Sequence, residues 1–427
     1  MARFIIENSP PLKGSVKISG SKNAVLPILA ASLLTEDKCV IHEVPDQSDV
    51  DTMCTLLERL GAGIHWDKNA GIISTAASGK LHAEAEYELV SKMRASFSVM
   101  GPLLARLGEV NVPLPGGCAI GARPVDLHLK GFSALGAEVV QEHGNVRARA
   151  KKLKGARVYL DFPSVGATEN IMMAAVLADG VTFLENCAVE PEIVDLANFL
   201  NSAGAEIRGA GTDTIKIAGV KTLSGADHTI IPDRIEAGTY MVAAGITRGD
   251  ITVTNVVADH LKPLIAKLKE VNLNVSETDA GVRVNYEEGR RIVAADVKTL
   301  PYPGFPTDMQ AQFMSLLTLA EGTSIVTETV FENRFMHVGE LKRMGADIKI
   351  ESRSAVIEGV KRLTGAQVKA TDLRAGAALV LAALTATGTT ELSDIYHIDS
   401  GYCELAEKLR LLGANIRREE ENGEKNN

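Results

Sequence analysis

The sequence predicts a mixed α/β protein of six repeated units, gathered as two clusters of three around buried helices. Three observations carry that prediction. A helix-ending signature recurs six times, a helix-starting signature recurs in step with it, and the 427 residues leave little over once six units are counted.

The ending signature reads Leu60-Gly61-Ala62, Leu135-Gly136-Ala137, Ala203-Gly204-Ala205, Met344-Gly345-Ala346 and Leu412-Gly413-Ala414, with a weaker copy at Val271-Asn272-Leu273. The middle residues are separated by 75, 68, 68, 73 and 68 positions. Gly or Asn suits the left-handed residue just past a helix end. Alternating strand patterns follow, such as Asp347-Ile348-Lys349-Ile350.

The starting signature reads Ser21-Lys22-Asn23, Ser91-Lys92-Met93-Arg94, Ser164-Val165-Gly166, Asp233-Arg234-Ile235-Glu236, Thr307-Asp308-Met309-Gln310 and Thr371-Asp372-Leu373-Arg374. Ser, Thr or Asp at such a point predicts an N-cap whose side-chain oxygen accepts an orphan backbone N–H. The stretches that follow, such as Ala167–Leu177 and Ala375–Leu384, are apolar nearly all round and predict buried helices. The helices ending in Leu-Gly-Ala are amphipathic and predict an outer layer.

Each unit therefore reads strand, buried helix, strand, outer helix, hairpin. An open solenoid would need atypical polar units at both ends, and the first and last units resemble the rest. Two closed clusters of three fit better. The predicted domains are 21–231, and 1–20 together with 232–427, with the chain crossing twice.

Net charge is −9 and the pI about 5.6, which gives no footprint for nucleic acid or an anionic membrane. Five scattered cysteines form neither a C-x-x-C pair nor a zinc-spaced cluster. The expectation is a reduced cytoplasmic protein without a structural metal and without a membrane or nucleic-acid partner. Gly209-Ala210-Gly211 lacks the third glycine of a dinucleotide loop. His128 and His337, on outer-helix patterns, read as structural or surface residues rather than metal ligands.

One unit breaks the rule. From the turn before its second strand to the middle of its ending signature, the second unit spans 28 residues, where the other five span 23 to 25. The extra residues fall in Leu114-Pro115-Gly116-Gly117-Cys118-Ala119-Ile120-Gly121-Ala122-Arg123-Pro124. Such a glycine-rich loop can act as a lid. Cys118 is either a small buried hydrophobe or, with its thiol pKa lowered by Arg123, an acid, base or nucleophile. Lys22, Arg94, Arg234 and Arg374 sit at helix starts, where a cation opposes the helix dipole. Either solvation tolerates them, or an anionic ligand repays their placement. Arg334 reads as a surface residue or a second anion clamp.

The loop 115–127, Gly20-Ser21-Lys22-Asn23, Phe305-Pro306-Thr307-Asp308-Met309-Gln310, Phe331-Glu332-Asn333-Arg334-Phe335-Met336-His337 and Thr371-Asp372-Leu373-Arg374 resemble the motifs of the UDP-N-acetylglucosamine enolpyruvyl transferase family, over essentially the whole chain. The resemblance implies the enolpyruvyl transferase fold, a two-domain inside-out α/β barrel with three repeats per domain. It implies transfer of the enolpyruvyl group of phosphoenolpyruvate to the 3-hydroxyl of UDP-N-acetylglucosamine, releasing phosphate by addition and elimination, with no metal or organic cofactor. That is the first committed step of peptidoglycan synthesis, hence of cell-wall biogenesis, cell shape and division, and a target of fosfomycin.

Residue by residue, the resemblance assigns Lys22 and Arg123 to the phosphoenolpyruvate anion, with Asn23 beside Lys22. Arg94, Arg123, Pro124, Val125, Asp126, Leu127, Asp308 and Val330 would contact the UDP-sugar, and Ser164, Val165 and Gly166 would lie near its uridine. Cys118 would be the proton donor and Asp308 the base for the sugar hydroxyl, with Lys22 also catalytic. Arg334 and Arg374 match clamp positions. The chain departs from the family at Ser400, where the pattern His-Ile-Asp continues with Arg, and at Asp46 and Ser48, where some members carry Lys. Ser400 leaves open a catalytically weakened, UDP-sugar-binding paralogue with a regulatory role. A shikimate-pathway enolpyruvyl transferase shares the fold but lacks the Gly-Gly-Cys loop.

Overall fold

The computed structural model describes residues 2–115, 120–121 and 124–420. Cys118, Arg123 and the polar tail from residue 421 onward lie outside the described residues. The chain divides into two compact units. One runs from Gly20 to Ile231, except that Ile120 and Gly121 group with the other, which holds the segment up to Ser19 and the chain from Pro232 onward. Each unit has its own hydrophobic core.

Among the described residues the strands form six sheets, three in each unit. The third repeat shows the plan. Strand Arg157–Tyr159 leads into helix Val165–Ala175, and the chain returns as strand Val181–Glu185, parallel to the first with Leu184 opposite Val158. Parallel neighbours need a crossover connection, and here the buried helix supplies it. Outer helix Pro191–Ser202 follows, then the hairpin of Glu206–Arg208 and Thr214–Ala218, whose second strand pairs antiparallel with Val181–Glu185.

Three of the other sheets follow the plan with strands borrowed along the chain. Strand Lys13–Lys17 pairs parallel with Asp250–Thr254, and Asp227–Thr229 pairs parallel with Cys39–His42. In each case the partner strand lies beyond the other unit or at the far end of its own. Strand Ala2–Glu7 fills the hairpin position of the last sheet, between Thr389–Ser393 and Ile416–Glu420. In the sheet that contains Glu109–Pro113, the parallel strand shrinks to a single bridge between Glu84 and Asn111.

The Leu-Gly-Ala signature has one physical cause in all six places. Gly61, Gly136, Gly204, Asn272, Gly345 and Gly413 all have positive φ, between 71° and 101°. The residue after each donates its N–H to a carbonyl five positions back, as in Ala62 to Leu57 (3.0 Å) and Leu273 to Leu268 (3.0 Å). This is the Schellman closure of a helix. The flanking Leu and Ala are the buried ends of the helix and of the chain leaving it. Asn replaces Gly once because its short polar side chain tolerates the left-handed region.

The capping prediction holds at three starts and fails at three. Ser164 accepts from Ala167, Asp233 from Ile235 and Glu236, and Asp372 from Arg374 and Ala375. Ser21 precedes helix Lys22–Ala31 in extended conformation but its hydroxyl makes no cap bond. Ser91 lies inside the short helix Tyr87–Lys92, and the buried segment starts later, at Arg94, as a 3-10 turn leading into Met100–Leu107. Thr307 opens a 3-10 turn, Thr307–Met309, ahead of helix Gln310–Leu317, and its hydroxyl is drawn away to Glu328.

The two helix classes differ as their sequences require. Every residue of Gln310–Leu317 is buried, whereas Lys262–Glu270 buries Leu264 and Leu268, one turn apart. Among the described residues no helix is long and apolar enough to cross a membrane.

Candidate active site

The cations found at helix starts are in the first turns of the buried helices. Lys22, Arg94 and Arg234 are the first residues of their segments and Arg374 is the second of Leu373–Ala383. Each unit gathers its predicted residues around a different set of partners.

In the unit built from Gly20 to Ile231, the Lys22 ammonium is mostly buried and pairs with the Asp49 carboxylate, in the first turn of helix Ser48–Arg59. Asn23 follows Lys22, half-buried. At the same end of that helix, Lys68 bridges Asp46 and Asp51 (both 2.9 Å) and lies over the Trp66 ring.

A second group in this unit surrounds His128. Arg94 Nη2 donates to the Pro124 carbonyl (3.4 Å), fixing the chain that enters helix Asp126–Ala134. Val125 is buried as the residue before that helix, Asp126 adds its charge to the first turn, and Leu127 packs against the core. Ser164, Val165 and Gly166 form the start of the neighbouring buried helix. A β-carbon at Gly166 would sit 3.3 Å from His128 Cε1, so glycine allows the two helices to approach. Asn170 Nδ2 donates to His128 Nδ1 (3.1 Å), which leaves the ring proton on Nε2, on the side facing Gly166. Burial, reinforced by Arg94, lowers the His128 pKa to about 3, so the ring is neutral. Sequence reasoning placed the loop and helix starts but did not see that His128 joins them.

In the other unit, Asp308, Arg334 and Arg374 form one cluster. Arg334 Nη2 lies 2.8 Å from Asp308 Oδ1 and Arg374 Nη2 lies 2.9 Å from Oδ2. Both guanidinium groups are buried, with side-chain exposures of 5% and 4%, against 26% for the carboxylate. Burial alone would raise the Asp308 pKa. The charges of Arg374 and Arg334 outweigh it and hold the carboxyl well below the usual range. Arg374 is lowered by burial but raised more by Asp308, and stays protonated. Its guanidinium also lies over the Tyr402 ring, 5.5 Å from the centroid. Buried Tyr402 accepts from Gln312 Nε2 (3.2 Å) and shares a hydrogen bond with the Thr239 hydroxyl (2.9 Å).

Val330 follows strand Thr323–Thr327, and its N–H donates to Glu328 Oε1 (2.8 Å). Its neighbour Phe331 offers its ring to Arg334, 5.3 Å from the centroid. Ser400 ends the short helix Tyr396–Asp399 and donates its hydroxyl to the His397 carbonyl (2.7 Å). His337 is buried and its pKa is lowered to about 4 by burial. Both histidines are therefore structural rather than surface residues. Among the described residues no group of three His, Cys, Asp or Glu side chains could hold a metal ion. Cys118 and Arg123 lie outside the described residues, so their geometry takes no part here.

Chemically, the second cluster is an ionised carboxylate whose basicity two cations suppress. A guanidinium that leaves it for a ligand anion would raise that basicity. The Asp49, Glu328 and His128 contacts escaped sequence reasoning because each partner is far from the signature it supports. Only Asp49 carried a hint, as an acidic residue in a helix first turn.

Residues 6–409 match the family model of EPSP synthase (3-phosphoshikimate 1-carboxyvinyltransferase). The chain is 62% identical over 416 residues to UDP-N-acetylglucosamine 1-carboxyvinyltransferase 1 of Caldanaerobacter subterraneus, covering 97% of this chain and 99% of that one. It is 60% identical to UDP-N-acetylglucosamine 1-carboxyvinyltransferase 2 of Carboxydothermus hydrogenoformans, covering 98% and 99%. Its fold is similar to that of the enolpyruvyl transferase NikO from Streptomyces tendae, with TM-score 0.87, 25% identity and 98% of each chain covered. It is also similar in fold to EPSP synthase from Acinetobacter baumannii, with TM-score 0.76, 19% identity, and 98% and 100% covered.

Proposed function

The chain belongs to the enolpyruvyl transferase family and, within it, to the UDP-N-acetylglucosamine 1-carboxyvinyltransferases; from that premise we propose how its own residues divide the reaction. The substrates are UDP-N-acetylglucosamine and phosphoenolpyruvate, and the reaction serves peptidoglycan synthesis in the cytoplasm. The observation that carries the substrate assignment is the near-full-length identity to transferases of that name.

In the addition step the 3-hydroxyl oxygen of the sugar bonds to C2 of phosphoenolpyruvate while C3 takes a proton from the Cys118 thiol. Asp308 accepts the hydroxyl proton. In the elimination step the C2–O bond to phosphate breaks, C3 returns a proton to the Cys118 thiolate, the proton held by Asp308 leaves on the phosphate, and the enol ether and inorganic phosphate depart. Lys22 and Arg123 hold the phosphoenolpyruvate anion, with Asn23 beside Lys22. Arg94, Pro124, Val125, Asp126, Leu127 and Val330 contact the UDP-sugar, and Ser164, Val165 and Gly166 lie near its uridine.

The Asp308 cluster adds a condition. A carboxylate held this far below its usual range is a poor base. Arg334 or Arg374 must therefore loosen its grip as the anionic substrates bind, which raises the Asp308 pKa when the hydroxyl arrives. The test is a coupled assay of phosphate release with both substrates. Release that depends on both supports the reading, and no release at any phosphoenolpyruvate concentration overturns it. Asp308→Asn should abolish release while still binding the UDP-sugar.

A further inference from the structure

We propose that Glu328 is a positioning residue for this reaction, a buried carboxylate that sets both the Arg334 guanidinium and the Val330–Phe331 backbone. The proposal rests on the functional reading above. Glu328 directly follows strand Thr323–Thr327 and is 1% exposed. Its Oε1 accepts from the Thr299 hydroxyl (2.9 Å), the Val330 N–H (2.8 Å) and the Phe331 N–H (3.1 Å). Its Oε2 accepts from the Thr307 hydroxyl (2.8 Å).

Two routes lead from those contacts to Arg334. Thr307 uses its proton on Glu328, so its oxygen is turned to accept from Arg334 Nη1 (3.2 Å). The Phe331 peptide, held on Oε1, carries the ring that faces the same guanidinium. The result is an alternating row of Glu328, Thr307, Arg334, Asp308 and Arg374. Glu328 thereby competes through Thr307 for the cation that suppresses Asp308. A buried anion that receives four donors is also a fixed point, because removing its charge leaves those donors unmatched.

Chemistry separates the carboxylate from its amide. The side chain introduced by Glu328→Gln would present an NH₂ group on one side, where the carboxylate now meets either the Thr307 hydroxyl proton or the Val330 and Phe331 N–H groups. Facing Thr307, that amide would turn the hydroxyl away from its present role and release Arg334 Nη1. Facing the backbone, it would release the Val330–Phe331 turn. Either way the UDP-sugar contact at Val330 or the balance at Asp308 is lost while the hydrophobic core is untouched.

The experiment compares purified full-length Glu328→Gln, Thr307→Val, Thr307→Ser and the double variant Glu328→Gln/Thr307→Val with the wild type, measuring kcat and both KM values by phosphate release. Glu328→Gln should lower kcat/KM for the UDP-sugar roughly ten- to a hundredfold, the range for a hydrogen bond to a charged group. The KM for phosphoenolpyruvate should change far less. Thr307→Ser, which keeps the hydroxyl, should recover most of what Thr307→Val loses, and the double variant should lose little more than the worse single. Losses that multiply, or a folded Glu328→Gln with wild-type constants, overturn the proposal. If Glu328→Gln fails to fold, the Thr307 pair decides: equal losses in Ser and Val overturn it. A wild-type chain without phosphate release overturns the functional reading and this proposal together; an active wild type beside an unaffected variant overturns the proposal alone.

Discussion

Replacing Asp308 by Asn removes the carboxylate that both Arg334 and Arg374 contact, and leaves two guanidinium groups, 5% and 4% exposed, without the charge they pair with directly. Breaking a buried pair in this way costs about 3–5 kcal/mol, because the remaining charge stays desolvated. In a unit of this size 1 kcal/mol shifts the melting midpoint by about 2–4 °C, so the expected fall is roughly 10 °C. The molecule supplies its own control. Its one tryptophan, Trp66, lies in the unit that does not contain Asp308. Calorimetry should show a transition lowered by the substitution, while the transition followed by tryptophan fluorescence keeps its midpoint. The pH dependence has a definite sign. The folded pKa of Asp308 is depressed, so its contribution is present above the unfolded value near 3.9 and is lost as pH falls toward the folded value. Wild type and Asp308→Asn should differ by a constant amount above about pH 5, and the gap should begin to narrow below about pH 4 and go on narrowing toward the folded value. Equal midpoints at neutral pH, or a gap that does not shrink at all as pH falls from neutrality to about 2, would show that the arginines do not depend on this carboxylate.

Other outcomes follow from the same structure. Gly204 has φ near +100° with nothing within 4 Å of an added β-carbon, so Gly204→Ala should cost about 1–2 kcal/mol through backbone strain alone. Gly204→Asn should cost less than half of that, since Asn272 occupies the equivalent position; urea unfolding followed by Trp66 fluorescence, within the same unit, measures both. Cys118→Asp should keep turnover and escape alkylation by fosfomycin, whereas Cys118→Ser should lose turnover because a hydroxyl is far too weak an acid near neutral pH; a fully active Cys118→Ser would remove Cys118 from its role. Ser400→Arg gives up the hydroxyl bond to His397. It should lower the KM for phosphoenolpyruvate about tenfold or more and leave that for the UDP-sugar nearly unchanged, and steady-state kinetics with each substrate varied decides it.

The repeat was legible in the sequence because its cause is local. A Schellman closure needs a left-handed residue and two apolar neighbours within a few positions, so each copy wrote Leu-Gly-Ala or a near variant into the chain. The burial of the inner helices was legible for the same reason, as an unbroken apolar surface. The helix caps were only half legible: Thr307 carries the right hydroxyl, but Glu328, 21 residues on, takes its proton. The candidate site was legible as a set of residue types and not as a set of pairings. Lys22 with Asp49, and Asp308 with Arg334 and Arg374, depend on which strands lie side by side. Sequence spacing also gave no sign that Glu236, buried among apolar residues, would accept from both Lys408 (2.6 Å) and the Ser19 N–H (2.8 Å).

The strand Ala2–Glu7 has a consequence for how the molecule is made. It leaves the ribosome long before its two neighbours, Thr389–Ser393 and Ile416–Glu420. At about 5–20 residues per second it waits roughly 20–80 s for the first of them. Strand Lys13–Lys17 has a shorter wait, until Asp250–Thr254 emerges. During that interval the unit that follows can close by itself, since its last strand, Asp227–Thr229, pairs with Cys39–His42 within it. Synthesis thus builds one finished body while the preceding strand, with Phe4, Ile5 and Ile6 destined for burial, is still unpaired. That exposed apolar strand is where a holding chaperone would have to act, and for that interval it is open to pairing with a second nascent chain.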